Sequence, residues 1–486
     1  MTTPIPPVSL DPENWEDFRA SAHAMLEAAL DRLEGAGQGR VWTPLPEDQK
    51  TAFQAPLPRT GHGNDAVQDQ ITALLPHGVG NTHPRFFGWV HGAGTPSNMI
   101  AEIAAAAMNA NLGGRDHGAI YVERQVVDWC REMFGFPETA SGLVVSGTSI
   151  ATVIALKAAR DRALGFATRT AGLNGARLVG YTSDQTHSCV ARAFDILGLG
   201  SDALRKIPTD AEFRIDLAAL RAAIARDQAA GLTPFALIGT AGAVNVGSID
   251  DLDTMADIAR DTGMWFHVDG AFGATAMLST TRRPLLRGLE RADSLAFDFH
   301  KWMQVNYDAG FVLIRSEEDH RSAFSERPDY LVATSRGLSA ANPWPTEYGP
   351  ELSRGFRALK IWAQIAEHGT EKLGRVVDQN CAQAAYLGDK ARASTATELM
   401  APVALNICCF RALRAGLTEA QLDSLNTEIV LRLQESGIAA PSTTKLYGKT
   451  AIRVNITNHR TRMEDIDILF EAVARLADEV ARDLAV

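Results

Sequence analysis

The sequence predicts an α/β protein with a mostly parallel central sheet, an N-terminal arm and a small C-terminal α+β domain. Three observations support this fold class. Short apolar runs alternate with helical patterns in the middle of the chain, the first segment buries little apolar surface, and the tail mixes strand and helix patterns. We therefore expect an arm over residues 1–75, a large α/β domain over 76–370 and a small domain over 371–486.

The predicted arm combines one helix with an irregular stretch. Residues 15–33 carry apolar side chains near helical spacing, which predicts an amphipathic helix. Residues 42–63 are rich in proline and glycine and show no clear period. Because such a segment buries little by itself, we expect the arm to pack on a second subunit.

The large domain is predicted from repeated strand and helix patterns. Apolar runs at 236–239 and 265–268 are short enough for buried parallel strands. Helices are predicted at 149–164, 217–228 and 251–262. This repetition indicates a parallel sheet covered by helices.

Two regions differ from this alternation. Residues 317–350 are polar and have no sustained period, so a mobile loop is predicted there. The tail begins with a helix, continues with strands at 404–410 and 450–456, and ends with an amphipathic helix over 463–484.

Composition excludes several functional classes. The chain has 58 acidic and 47 basic residues and a formal net charge of -11, which argues against a nucleic-acid partner because phosphate binding needs a basic face. No apolar run reaches the length of a membrane span, and no signal-peptide pattern is present. The five scattered cysteines form no CxxC pair, so we expect a cytoplasmic protein without a metal site.

The segment 298–302 contains the strongest candidate for chemistry. Lys301 lies between His300 and Trp302, which is not a typical surface pattern. Desolvation lowers the pKa of a lysine and makes its amine a nucleophile toward an aldehyde. The same pattern also fits a lysine whose stem lies over aromatic rings while its charge reaches solvent.

A second candidate follows the apolar run at 265–268. Asp269 would stand at the carboxyl end of a strand, the edge at which α/β sheets bind ligands. A carboxylate there can pair with a protonated pyridine nitrogen, and Ala271 is small enough to lie flat against a ring. The alternative is an aspartate that caps the next helix.

Residues 146–149 follow another apolar run and open a predicted helix. Backbone amides and hydroxyls at a helix N-terminus bind phosphate, which makes Gly147, Thr148 and Ser149 candidates. Such clusters are also the usual way to begin any helix. His187 could stack on a cofactor ring, although a lone histidine is more often a structural hydrogen-bonding group.

In this order along the chain, the elements resemble the group II pyridoxal-dependent amino-acid decarboxylases, the family of aromatic-L-amino-acid, glutamate and histidine decarboxylases. The similarity extends over residues 12–470. The matching segments are HPxFFG at 83–88, the LE…W helix with Glu123 and Asp128-Trp129, the segment 183–188, HVDAA at 267–271, the Schiff-base segment 292–302, RRxRALK at 353–360, and strand positions at 406–411 and 453–455.

The resemblance implies an aspartate-aminotransferase-like fold of type I, pyridoxal 5'-phosphate as cofactor, and a homodimer. It implies that Lys301 holds the cofactor as a Schiff base, that Asp269 stabilises the protonated ring nitrogen, and that His187 and Ala271 contact the ring faces. The expected cofactor-binding residues are Gly147, Thr148, Ser149, His187, Asp269, Ala271, Asp298, His300 and Lys301.

Tyr330 matches the tyrosine on the family's mobile loop that serves as proton donor after decarboxylation. Plant relatives with phenylalanine there, or without the stacking histidine, release an aldehyde after reaction with oxygen. Because this chain has both Tyr330 and His187, we predict decarboxylation to the amine and CO2, with aldehyde formation as the alternative.

The substrate pocket is expected near the HPxFFG segment. Its predicted residues are His83, Phe86, Phe87, Trp89 and His117, whose rings favour an aromatic L-amino acid. Aromatic side chains there are equally consistent with core packing. An acidic substrate would need a basic partner, for which Arg85 and Arg115 are the candidates.

Other functions stay open at this stage. The same fold carries transamination and carbon–sulfur lysis, and a homologue without catalysis would be a binding or scaffold protein. The presence of Lys301, Asp269 and His187 together favours the enzyme. Among the departures from the family pattern, Ile150 and Phe299 stand where the family usually has a polar residue and proline.

Overall fold

The structure, a computed structural model, describes residues 8–326 and 334–484. Within these ranges the chain forms a seven-stranded and a five-stranded sheet with helices packed on both. The helices are α1 (Trp15–Glu34), α2 (Glu47–Ala52), α3 (Asn64–Leu74), α4 (Pro96–Met108), α5 (Gly118–Phe134), α6 (Thr148–Ala163), α7 (Thr168–Ala171), α8 (Ser188–Ile196), α9 (Leu217–Ala229), α10 (Leu252–Thr262), α11 (Glu317–Phe324), α12 (Arg357–Ala393), α13 (Glu419–Ser436) and α14 (Met463–Leu484). The strands are β1 (Phe86–Phe87), β2 (Ser141–Val145), β3 (Leu178–Ser183), β4 (Leu204–Ile207), β5 (Thr233–Thr240), β6 (Trp265–Asp269), β7 (Ser294–Asp298), β8 (Gly310–Ile314), β9 (Thr397–Leu399), β10 (Ile407–Ala412), β11 (Ala440–Leu446) and β12 (Lys449–Asn455).

The seven-stranded sheet has the order β2-β8-β7-β6-β5-β3-β4. Neighbours from β7 to β4 are parallel, whereas β8 runs antiparallel to both β7 and β2. Strand β2 therefore points in the same direction as β7, and the carboxyl ends of all strands except β8 meet at one edge. The predicted α/β fold with a mostly parallel sheet is confirmed. The edge formed by these carboxyl ends is the one at which such sheets generally bind ligands.

Side-chain caps explain where two of the connecting helices begin. Asp216 accepts hydrogen bonds from the backbone N–H groups of Ala218 (2.9 Å) and Ala219 (3.0 Å) at the start of α9. Asp251 accepts one from the N–H of Thr254 (3.1 Å) at the start of α10. These caps satisfy amides that the first helical turn leaves unpaired, so each helix starts directly after its connecting turn.

The five-stranded sheet has the order β1-β11-β12-β10-β9 and is antiparallel except between β1 and β11. Helices α13 and α14 pack against it. The long helix α12 contacts both sheets and is interrupted by the non-helical residue Gly369. The division of the chain at residues 75 and 370 stays a prediction.

The N-terminal helices α1 and α3 pack on each other, and neither contains a buried residue. Their exposed apolar side chains include Trp15, Phe18, Val67 and Ile71. This part of the chain therefore has an apolar surface that its own fold leaves uncovered.

Most elements predicted from periodicity are present. Helices α1, α6, α9, α10 and α14 lie within one residue of their predicted bounds, and the predicted strands overlap β5, β6, β10 and β12. The loop predicted over 317–350 is partly wrong. Its first eight residues form α11, because Ser316 caps that helix and two of its own residues, His320 and Ala323, are buried. Among the described helices, none combines the length and apolar composition that a membrane span requires.

Candidate active site

A cavity of about 460 Å³ opens at the carboxyl edge of the seven-stranded sheet, beside the N-terminus of α6. Its walls come largely from the segments that follow β2, β3, β6 and β7. The lining residues are Val90, His91, Ser146, Gly147, Thr148, Ser149, Ile150, His187, Cys189, Ala271, Asp298, His300, Lys301 and Tyr307.

The structure brings the predicted cofactor-binding residues together at this cavity. Those that line it are Gly147, Thr148, Ser149, His187, Ala271, Asp298, His300 and Lys301. The remaining one, Asp269, is buried next to the lining residue Cys189. Residues that are up to 154 positions apart in the chain, from Gly147 to Lys301, therefore meet at one place.

Lys301 is held by a carboxylate from the end of β7. Its Nζ lies 2.9 Å from Oδ2 of Asp298, which is itself buried. Burial lowers the pKa of Lys301, but the charges of Asp298 and Asp269 outweigh burial, and the net pKa lies above its ordinary value. The prediction that desolvation leaves this amine with a lowered pKa is wrong, because it considered the aromatic neighbours and not the carboxylate three residues earlier.

Asp269 is the last residue of β6, and the negative charge of its buried carboxylate is only weakly neutralised by its neighbours. Its Oδ1 accepts a hydrogen bond from the backbone N–H of Ala271 (3.1 Å), and Sγ of Cys189 lies 3.8 Å from its Oδ2. Burial raises the pKa of Asp269, and the charge of Lys301 opposes that rise. Such a carboxylate fits a cationic ring nitrogen, which would provide the positive charge that this position lacks.

The turn between β2 and α6 contains the predicted phosphate-binding residues. The backbone N–H of Thr148 donates a hydrogen bond to Oδ1 of Asp298 (2.7 Å). Thr148 Oγ1 is buried and has no hydrogen-bond partner within residues 8–326 and 334–484. A buried, unsatisfied hydroxyl at a helix N-terminus fits an anionic oxygen, so these residues suit the phosphate of pyridoxal 5'-phosphate.

Two histidines beside the cavity are neutral rings in defined tautomers. Nδ1 of His187 accepts a hydrogen bond from the backbone N–H of Cys189 (3.2 Å), and Nδ1 of His300 accepts one from the N–H of Ala309 (3.0 Å). Burial lowers the pKa of both histidines. Each ring therefore carries its proton on Nε2, which leaves an N–H donor rather than a cation.

A row of aromatic rings leads from β1 to the cavity. The ring centroids of Phe86 and Trp89 lie 5.6 and 5.9 Å from that of His91. His91 lies 5.7 Å from Tyr307, which lies 4.4 Å from His300. His91 and Tyr307 line the cavity, whereas Phe86 and Trp89 lie farther along the row.

The residues predicted for the substrate pocket lie outside the cavity lining of the described chain. Phe87 is buried in the core of the five-stranded sheet, and Phe86 packs with Val41 and Ala440. His83 is buried, and burial lowers its pKa to about 4. Their role toward the substrate stays a prediction.

One further predicted residue, His117, is also separate from the cavity. His117 precedes α5, and its Nε2 lies 3.3 Å from the carbonyl oxygen of Asn111. Tyr330 falls outside the described residues. Sequence reasoning missed His91 and Tyr307. His91 follows Trp89 by two residues, a spacing that a search for nearby rings would find, but nothing local marks Tyr307.

Comparison with known proteins agrees with this geometry. The conserved domain of pyridoxal-dependent decarboxylases matches residues 46–413. An aromatic-L-amino-acid decarboxylase of Bacillus atrophaeus is 34% identical over 427 residues, which cover 86% of this chain and 85% of that protein. A phenylacetaldehyde synthase of Arabidopsis thaliana is 28% identical over 470 residues, covering 92% and 93%.

A solved structure extends the comparison to the fold. The crystal structure of Oryza sativa TDC with PLP and tryptamine superposes with a TM-score of 0.88. The two chains are 25% identical, and the alignment covers 97% of this chain and 99% of the rice protein. The similarity therefore spans both sheets and the cavity between the connecting segments.

Proposed function

The chain belongs to the pyridoxal-dependent decarboxylase family and is a pyridoxal 5'-phosphate-dependent amino-acid decarboxylase, and we propose that its substrate is an aromatic L-amino acid. One observation carries this proposal. Apart from Lys301, the described lining residues include no lysine or arginine, while the rings of His91 and Tyr307 form part of the wall. Such a wall suits an aromatic side chain better than a second carboxylate.

The side chains considered for an acidic substrate are engaged elsewhere. Arg85 Nη1 lies 3.2 Å from Oδ1 of Asp465, and its Nε donates to the carbonyl oxygen of Ile438 (2.7 Å). The guanidinium of Arg115 lies 4.7 Å from the ring centroid of Trp344. Neither arginine lines the cavity, which supports the aromatic alternative over glutamate or aspartate.

The predicted site residues would bind different parts of the cofactor. When bound, pyridoxal 5'-phosphate supplies an aldehyde for a lysine amine and a ring that takes up the electrons released as the α-carboxylate leaves. Lys301 would bind that aldehyde, and Asp269 would neutralise the ring nitrogen. Thr148 and the amides that open α6 would bind the phosphate. His187 and Ala271 would contact the ring.

Protonation decides between the amine and the aldehyde product. We propose that Tyr330 donates the proton to Cα, so that the products are the amine and CO2. The similarity to a phenylacetaldehyde synthase keeps oxygen-dependent aldehyde formation as the second candidate. Tyr330→Phe should lose amine production and gain oxygen consumption. If amine output is unchanged, the proton-donor assignment is wrong.

We also propose a cytoplasmic homodimer. Exposed apolar side chains occur on α1 and α3 and also on α4, where they are Ile100, Ile103 and Met108, and a second copy would cover such surfaces. The free, buried cysteines are typical of a reducing compartment. Sedimentation equilibrium should give twice the 52.4 kDa chain mass. A monomeric mass would contradict the dimer, and membrane or periplasmic fractionation would contradict the location.

The substrate is tested by CO2 release from the twenty amino acids and dihydroxyphenylalanine, with the holoenzyme. We expect aromatic L-amino acids to have the highest kcat/KM. A preference for glutamate or aspartate would contradict the substrate proposal without affecting the assignment of the reaction.

A further inference from the structure

An ion pair outside the cavity joins three segments of the chain near the turn between β2 and α6. The side chains of Arg354 and Glu123 are 1% and 5% exposed. Arg354 Nη1 donates to Glu123 Oε2 (3.0 Å), and Nη2 donates to Oε1. The guanidinium therefore binds the carboxylate with both of its arms, a geometry that lysine cannot reproduce.

The same ion pair forms hydrogen bonds with the outer edge of β2. Strand β2 stands at the end of its sheet, so the backbone groups that face away from β8 have no strand partner. Glu123 Oε1 accepts the N–H of Val144 (3.1 Å), and Arg354 Nη2 donates to the carbonyl oxygen of Val144. Val144 lies three residues before Gly147, so the ion pair fixes the strand that delivers the turn.

Arg354 also holds the segment before α5. Its Nη1 donates to the carbonyl oxygen of Leu112 (2.9 Å), and its backbone carbonyl oxygen accepts the N–H of Leu112 (2.8 Å). The backbone N–H of Arg354 donates to Oδ1 of Asn111 (2.9 Å). Because the contacts of the Arg354 guanidinium are buried, the position of β2 is set by side chains that do not line the cavity.

We propose that Arg354 and Glu123 are positioning residues that preform the cofactor's phosphate-binding turn, Ser146 to Thr148. They act through Val144 and contact neither cofactor nor substrate. This inference rests on the proposed assignment of the turn to the phosphate group. It predicts that disturbing the ion pair weakens recognition of the phosphate more than recognition of the pyridine ring.

The test compares the dissociation constants of pyridoxal 5'-phosphate and of pyridoxal, which lacks the phosphate. Arg354→Lys keeps the charge but loses the two-armed contact. The dissociation constant of this variant for pyridoxal 5'-phosphate should rise roughly tenfold, as expected for one lost hydrogen bond to a charged group. Its dissociation constant for pyridoxal should stay within about twofold of that of the unchanged protein. Glu123→Gln should shift the same ratio and replaces Arg354→Lys if that variant does not fold.

A matched control is available in the five-stranded sheet. Arg411 has a side chain that is 4% exposed and binds Glu398 (2.6 Å) and Glu419 (2.8 Å). Arg411→Lys should lower stability in the same way and leave the ratio of the two constants unchanged. If the ratio changes in Arg411→Lys as much as in Arg354→Lys, or does not change in Arg354→Lys, the positioning role is overturned.

Thr148→Val separates this inference from the assignment on which it rests. If Thr148→Val leaves the ratio unchanged, the turn does not bind the phosphate and both ideas fail. If Thr148→Val changes the ratio and Arg354→Lys does not, only the positioning role fails. The substrate proposal is tested independently by the amino-acid panel.

Discussion

Replacing Gly310 by alanine should displace the turn that precedes α6. Gly310 is the first residue of β8 and is paired in register with Val145 and Asp298. A Cβ atom at this position would lie 2.3 Å from Cα of Gly147, 2.6 Å from its N and 2.7 Å from its C. All three contacts are with backbone atoms, so no side chain can rotate away to make room.

The size of the effect follows from these distances. Non-bonded carbon atoms in contact are separated by about 3.5–4.0 Å, so the turn or β8 must move by roughly 1 Å. Overpacking of this kind costs about 1–3 kcal/mol of folding stability. A displacement of about 1 Å in a positioned group lowers catalytic rate by roughly 10²-fold. Gly310→Ala should therefore fold with reduced stability and lose most of its cofactor affinity and activity.

The assay measures cofactor affinity by equilibrium dialysis, CO2 release at saturating cofactor, and urea unfolding. Gly239→Ala in β5 is the matched control, because its Cβ would meet side-chain ends, Leu252 Cδ2 at 2.9 Å and Phe266 Cε2 at 3.2 Å. The control should lose stability but keep its cofactor affinity. If Gly310→Ala binds pyridoxal 5'-phosphate as tightly as the unchanged protein, the backbone contact does not control the turn and the reasoning is refuted.

Three further predictions concern single residues. Lys301→Ala should lose the visible absorbance of the holoenzyme and the borohydride-dependent label at that position in peptide maps; a label elsewhere would move the Schiff base to another lysine. Asp269→Asn should fold normally, since it removes a poorly neutralised buried charge, but its CO2 release should fall by about 10²–10³-fold, and near-normal activity would contradict the pairing with the ring nitrogen. Burial lowers the pKa of His320 to about 3. Below about pH 6.5 the unfolded chain therefore takes up a proton at this histidine that the folded chain does not take up. The free energy of unfolding should fall between pH 6.5 and 3 by up to about 1.4 kcal/mol per pH unit. His320→Gln should make this slope shallower in urea titrations, and an unchanged slope would show that His320 does not contribute.

The parts of the fold that sequence predicted are those with long local patterns. Both ends of helix α14 are predicted correctly because its apolar residues recur over 22 positions. Helix α11 was missed because it has only eight residues, of which two are buried. Its signal was present in the Ser316 cap and the three acidic residues of its first turn, but the surrounding polarity obscured it.

Strand direction shows a different limit of sequence reasoning. The sheet was predicted as mostly parallel from the alternation of strands and helices, which holds from β3 to β6. Strand β7 is parallel to β6 and follows it after the longer connection 270–293, which contains three short 3-10 helices. Strand β8 follows β7 without a helix between them and runs antiparallel to it. The short connection of residues 299–309 requires this direction, because a parallel return needs a longer crossover that usually contains a helix.

The candidate site was predictable where chemistry and chain position coincide. Lys301, Asp269 and His187 each lie at or just after the end of a strand and carry a distinctive side chain, and the structure brings them to one cavity. The environment of Lys301 was not predictable to the same degree. Its pKa depends on the balance between burial and the carboxylates of Asp298 and Asp269, and only the fold determines that balance.

Asp298 links Lys301 to the turn between β2 and α6, for which we propose phosphate binding, and this link explains why contacts on several sides of the turn matter. One of its oxygen atoms lies 2.9 Å from Lys301 Nζ, and the other accepts the N–H of Thr148 (2.7 Å). A shift of the turn would therefore also change the hydrogen bonding of the carboxylate that holds the lysine. Gly310 in β8 restricts the position of the turn on one side, and Arg354 restricts it through the outer edge of β2. Because these contacts come from three separate parts of the sequence, a disturbance at any one of them should affect the phosphate and the lysine together.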